Sequence, residues 1–180
     1  MKWAAMLRGI NLGKRQLVKA DLIGAVEDTG YGDARTLLAS GNVVFEAGSA
    51  EAETIERRLH EAVEARTGIK SEVFVRNFEQ LESVIEANPF PEVGRDRPSQ
   101  LLVIFHAENV PKAEVGRVAQ GYDGPERLEA VGRELFIDYP EGMGRSKLDP
   151  AMAKMKIRLP RGTGRNWNTV TKLKTMLEGQ

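Results

Sequence analysis

ARTLLASGNVVFEA, residues 34–47, decides the fold. Two short apolar-rich segments, 34–39 and 43–47, flank Ser40-Gly41-Asn42, which suits a tight turn because Gly and Asn tolerate positive φ. The stretch therefore reads as a hairpin. Upstream, Val18, Leu22 and Val26 recur every four residues over 18–29, and Gly30 supplies a stop. Downstream, Ile55, Leu59 and Val63 share one side of a charged helix over 51–67, which Gly68 ends. Outermost stand two strands, KWAAML (2–7) and EVFVR (72–76). The order strand, helix, strand, strand, helix, strand is the split βαβ arrangement of a ferredoxin-like α+β domain.

A second set of signals follows. Asn77 and Gln80 have capping-box spacing, Leu81, Val84 and Ile85 supply a helix with its apolar side, and Pro89 and Pro91 close it. Residues 91–99, with Pro91, Pro98 and four charges, read as a linker between a first domain over 1–90 and a second over 100–180. The second opens with the strand QLLVIFHA (100–107). Pro111 suits the first position of a helix running to Ala119, and 126–131 with 134–139 form a hairpin around Gly132. Helices are expected over 146–156 and 166–177, the last capped by Asn166 and buried through Trp167, Val170, Leu173 and Leu177. This is a second small α+β domain with a helical C-terminus. No clear sequence repeat ties it to the first.

Composition narrows the chemistry. The chain has 180 residues, 26 basic and 26 acidic, with 41% hydrophobic, as in a folded globular protein. It has no cysteine, which excludes disulfides, thiolate catalysis and Cys-based metal sites. Even a purely apolar run such as Leu101–Phe105 is too short to cross a bilayer. The opening MKWAAMLRG lacks the apolar core of a signal peptide, so a cytoplasmic location and no membrane partner are expected. His60 and His106 stand alone, with no second histidine at metal-ligand spacing, so no metal and no cofactor is expected.

The neutral total conceals a partition. Residues 1–20 hold five basic residues and no acidic one, and residues 145–174 hold nine against Asp149 alone. Between them, 46–92 hold eleven glutamates against five Lys or Arg. If the two chain ends meet, they form a positive face that attracts phosphates and other anions. If they neutralise the acidic middle, they do not.

Three segments lie where such a face would act. Arg8-Gly9-Ile10-Asn11-Leu12-Gly13-Lys14 follows a strand and precedes a helix, and its backbone N–H groups with Arg8 and Lys14 suit an anion. It matches neither a P-loop nor a GxGxxG fingerprint. Ser40 and Asn42 would add hydrogen bonds if the hairpin turn approaches that loop. The third segment, 142–171, offers Arg145, Ser146 and Lys147 after a glycine-rich turn, then Arg165, Asn166 and Asn168 at a helix start. Trp167 belongs by its spacing to the core.

RGINLG, LLASGNVVFEA, NPF (88–90), DYPEGMGRSKL (138–148) and GRNWNTVTKL (164–173), in this order and spacing, resemble the bacterial "domain of unknown function 1697" family. The resemblance implies a two-part α/β protein with a ferredoxin-like first part, and it implies no reaction, substrate or cofactor. It marks the same segments as the residue-by-residue reading. Trp3 departs from it, since members often carry a smaller aromatic there.

The leading expectation is a protein that binds a nucleotide, phosphate or nucleic acid through Arg8, Asn11, Lys14, Ser40, Asn42, Arg145, Ser146, Lys147, Arg165, Asn166 and Asn168. The alternatives are a small enzyme with a pocket between its halves, and an interaction protein with no chemistry of its own. No motif names a reaction.

Overall fold

Strand β1 (Lys2–Leu7) has no exposed side chain from Trp3 to Leu7, so both its faces and both its edges must be covered. In the computed structural model, which describes residues 1–14, 16–37 and 41–178, neighbouring strands cover the edges. β3 (Asn42–Glu46) pairs antiparallel on one side, with Trp3 opposite Phe45 and Ala5 opposite Val43. β4 (Val73–Asn77) pairs antiparallel on the other, with Ala5 opposite Val75 and Leu7 opposite Val73. β2 (Gly32–Leu37) completes the sheet outside β3, giving the order β2-β3-β1-β4.

Helices α1 (Lys19–Asp28) and α2 (Ala52–Thr67) connect these strands, as the sequence predicts. Trp3, Ala5, Leu7, Val43, Phe45, Val73 and Val75 share one sheet face, because residues opposite each other in a ladder point the same way. They form one core with Leu22, Ala25 and Val26 of α1 and Ile55, Leu59 and Val63 of α2. Each such Val, Leu or Phe contributes about 1.5–3 kcal/mol of burial. Gly68 ends α2 at φ +74°, its N–H donating to Glu64 O at 2.8 Å. The opposite sheet face is buried too, through Ala4, Met6, Val44, Phe74 and Arg76. The expected βαββαβ ferredoxin-like domain is present.

The chain divides into two compact units, Met1–Ser83 with Thr171–Gln180, and Val84–Val170. In the second, β5 (Leu101–His106), α5 (Lys112–Gly121), β6 (Arg127–Val131), β7 (Glu134–Asp138), α6 (Leu148–Lys154) and β8 (Gly162–Asn166) build a sheet of order β6-β7-β5-β8. That repeats the first topology strand for strand. One face carries Leu102 and Ile104 into a core with Val118, Leu135, Ile137 and Leu148. Leu101, Val103, Phe105 and Phe136 are buried on the other.

β8 is a strand that the sequence reading missed, placing Arg165 and Asn166 at a helix start. GTGRN lacks the branched residues that mark strands, and its glycines signal a loop. The glycines are there for close approach: a Cβ on Gly164 would lie 3.1 Å from Leu102, and one on Gly162 2.8 Å from the backbone oxygen of Phe105. α7 (Trp167–Glu178) follows β8 directly, as α3 (Phe78–Glu86) follows β4.

Residues 91–99, read as linker, hold the short helix α4 (Pro91–Asp96) and the start of a 3-10 turn. Arg97 follows α4 and donates through Nη1 and Nη2 to the two oxygens of Asp138, at 3.1 and 3.3 Å. Arg127 donates to Asp138 Oδ2 through Nε and Nη2 at 3.1 and 2.9 Å, and to Glu92 at 2.7 Å. Its guanidinium also stacks 4.6 Å over Phe90. Asp138, 2% exposed, is the shared acceptor. Among the described residues, no helix is long and apolar enough to cross a membrane, and no His/Asp/Glu cluster suits a metal ion.

Replacing Asp138 by Asn should cost about 2–3 kcal/mol, less than for a fully dry ion pair because both arginines keep solvent contact. The midpoint of urea denaturation measures it.

Candidate functional site

Loop 8–14 leaves β1 through three left-handed residues at alternating positions: Gly9 at φ +64°, Asn11 at +57° and Gly13 at +59°. This explains the G-x-N-x-G pattern, because Gly and then Asn adopt that region at least cost. Ile10 and Leu17, each 6% exposed, anchor the loop in the core. Asn11 accepts the Leu17 N–H on Oδ1 at 2.8 Å, which holds the chain at the approach to α1.

The hairpin turn meets this loop. Leu7 N–H donates to Gly41 O at 2.9 Å. Gly41 has φ +73°, and a Cβ there would collide with the Ile10 side chain. Gly41 is therefore required both by its backbone angle and by the space Ile10 fills. Ser40 lies outside the described residues.

Together the two segments border a cleft of about 620 Å³ at the start of α1. Leu17, Val18 and Leu22 supply its apolar lining, and Asn11, Gln16, Lys19 and Thr36 its polar groups. Val18 precedes α1 and has no oxygen to cap it, so no side chain bonds to the helix's first N–H groups. Leu12 and Val18, 68% and 55% exposed, are two of the few large apolar residues that face solvent.

Among the residues expected to bind a ligand in the first unit, Asn11 lines this cleft and three others are placed differently. Arg8 is exposed and paired with Glu72 at 3.0 Å. Lys14 is exposed on the loop, outside the cleft lining. Asn42 is fully buried and donates to Leu37 O at 3.2 Å, closing the hairpin. Lys19, Gln16 and Thr36 were not singled out from the sequence. Lys19 carried a signal, a lysine at a helix start, but the contribution of Thr36 needed the sheet to form.

In the second unit Arg145 and Lys147 are exposed. Ser146 accepts the Leu148 N–H at 3.1 Å in a tight turn just ahead of α6. Arg165 is 8% exposed within β8, where it donates to Thr163 Oγ1 and Gly164 O, both at 2.8 Å. Burial pulls its guanidinium down to about 10, so it stays charged at neutral pH. Asn166 accepts the Thr169 N–H at 3.0 Å and caps the last helix, as expected, while Asn168 is exposed. Trp167 is buried, as its spacing implies.

Tyr122 donates to Glu126 Oε2 at 2.7 Å, and Ser146 also bonds Glu126. Burial pushes the Glu126 carboxyl up, but these two hydrogen bonds together with one from its own backbone N–H outweigh it and hold the carboxyl below the usual range.

A first unit with a loop-lined cleft at one end of its sheet, followed by a second unit of like topology, defines a tandem ferredoxin-like α+β protein. The chain belongs to the family described as "Protein of unknown function (DUF1697)", which matches residues 1–136. That stretch includes both segments bordering the cleft. No curated protein matches the chain. A solved structure, of the conserved bacterial protein SP0830 from Streptococcus pneumoniae, is similar over 99% of this chain and 98% of that one. Its TM-score is 0.71 and its identity 22%, a likeness of fold.

Two outcomes are expected. Gly41→Ala should destabilise the first unit by about 1–3 kcal/mol through backbone strain, with further loss from displacing Ile10; thermal denaturation with assigned amide signals of the unit reads this. A carboxylate with a depressed folded pKa stabilises above its unfolded pKa and loses that contribution as pH falls through the folded value. Stability of Glu126→Gln should therefore lie below wild type at neutral pH and approach it below about pH 4.5, the ordinary value, in denaturation curves across pH.

Proposed function

We propose that the first unit binds a small organic anion, a nucleotide or another phosphate-bearing molecule, in the cleft ahead of α1. The observation that carries this reading is the meeting of loop 8–14 and the hairpin turn at one cleft, beside a helix start with no side-chain cap. Lys19 and the N–H groups of Lys19 and Ala20 receive the anionic group, since the helix dipole favours negative charge there; the Asp21 N–H is taken by Val18 O at 3.1 Å, and the Asp21 carboxylate in that turn is offset by Arg66 at 3.7 Å. Leu17, Val18 and Leu22 take the apolar body. Five basic residues in the first twenty, with no acid among them, raise the local anion concentration. The exposed Arg145 and Lys147 serve anions on the second unit in the same way, as does Lys172 on the last helix.

Titration with inorganic phosphate, adenosine monophosphate and a short single-stranded RNA at low salt tests the reading. Saturable shifts at the Asn11 and Lys19 amides, weakened roughly tenfold by Lys19→Gln and by added salt, are expected. Failure of all three probes to bind, or binding indifferent to Lys19→Gln, overturns it.

A further inference from the structure

A cavity of about 500 Å³ lies in the first unit, between strands β1–β3 and the last turn of α7. Lys2, Asp33, Arg35 and Glu46 bring two cations and two carboxylates to it, and Ala34 and Met176 bring apolar surface. Sheet register explains part of the gathering. Arg35 stands opposite Val44, and Glu46 stands opposite Lys2. Lys2, Arg35, Val44 and Glu46 therefore share the sheet face turned away from the core with α1 and α2.

Asp33 reaches the same cavity through an irregularity. Gly32 stands opposite Glu46 and Arg35 opposite Val44, so β2 advances three residues while β3 advances two. The extra residue makes a bulge, and Asp33 within it has φ +51°. Asp accepts that left-handed backbone better than most residues. Gly32 shares the face of Glu46, so strict alternation would send Asp33 to the opposite face. The bulge brings it to the cavity wall instead, and bulges beside binding sites re-aim side chains in this way.

The charged groups are not spent on one another. Arg35 Nη2 donates to Met176 O at 3.0 Å, so the end of α7 holds the guanidinium in place. Its other N–H groups have no acceptor among the described residues. The Asp33 and Glu46 carboxylates likewise make no hydrogen bond or ion pair among the described residues. Asp33, Arg35 and Glu46 are all exposed, so a ligand in the cavity reaches them. The wall thus offers a fixed guanidinium fork for a carboxylate and two carboxylates for an ammonium.

We infer that this cavity binds a small zwitterion, a free amino acid or dipeptide. Its carboxylate lies on Arg35 with Lys2 beside it, its ammonium on Asp33 and Glu46, and an aliphatic side chain against Ala34 and Met176. A simple anion or a simple cation would meet two like charges in the same cavity, whereas a zwitterion meets an opposite charge at each end. The site is separate from the cleft ahead of α1, and either stands without the other.

The test uses the whole protein and NMR of the backbone amides of Asp33, Arg35 and Glu46, at constant ionic strength. Leucine and leucyl-leucine are titrated first. N-acetylleucine, which lacks the ammonium, and leucinamide, which lacks the carboxylate, follow. Leucine or the dipeptide should shift these amides saturably, and each blocked derivative should bind about tenfold more weakly than leucine. Asp33→Asn keeps a residue type that accepts the left-handed angle and removes the charge, so it should weaken leucine binding about tenfold. Glu46→Gln should do the same from a regular strand position. The comparison of derivatives needs no variant and stands if either variant folds poorly. Lys19→Gln should change nothing here. Absence of a saturable shift with both zwitterions, blocked derivatives that bind as tightly as leucine, or an affinity unaltered in both carboxylate variants overturns the proposal.

Discussion

A strand with no wet face organises the first unit. From Trp3 to Leu7, β1 has every side chain buried, so its ladder partners and covering helices must be complete before it is stable. Such a strand leaves the chain only its two ends at which to reach solvent. At one end loop 8–14 departs, and the Leu7 N–H bond to Gly41 O ties that departure to the hairpin turn. At the other, Trp3 borders a smaller cavity at the start of α2. The candidate site therefore sits where the buried strand ends, because ends are where backbone groups run out of ladder partners.

The same topology occurs twice, and local chemistry repeats with it. β4 ends in Arg76-Asn77 before Phe78, and β8 ends in Arg165-Asn166 before Trp167. Ala4 stands opposite Arg76 as Val103 stands opposite Arg165. Each arginine is buried and donates to the carbonyl of the residue before it, Val75 at 2.9 Å and Gly164 at 2.8 Å. Each asparagine caps the following helix by accepting an N–H three residues on. Arg-Asn-aromatic is thus a strand-to-helix junction used twice. In the second unit the buried Arg165 belongs to this junction, which gives it a structural task whatever its part in binding anions.

The sequence carried a repeat that its reading did not find. Three matching residues among differing neighbours are invisible without the register, since VFVRNF and GTGRNW differ at all three positions before the arginine. The helix pattern was more legible: α1, α2 and α7 follow from three- to four-residue apolar spacing and from Gly or Asn at their ends, and α5 from Pro111 at its start. The loop segments were legible as loops because Gly9, Asn11 and Gly13 are the residue types that left-handed backbone accepts.

By itself the sequence determined the first unit's βαββαβ order, the two segments that border the cleft and the absence of thiol chemistry. These depend on residues close in the chain, through periodicity, turn preference and side-chain type. Tertiary structure decided which polar groups are already engaged. Arg8 is held by Glu72 and Asn42 by the hairpin, while Lys19 and Trp3 line cavities. Those partners are set by sheet register and helix packing, which bring together residues far apart in the chain, and no local spacing encodes them.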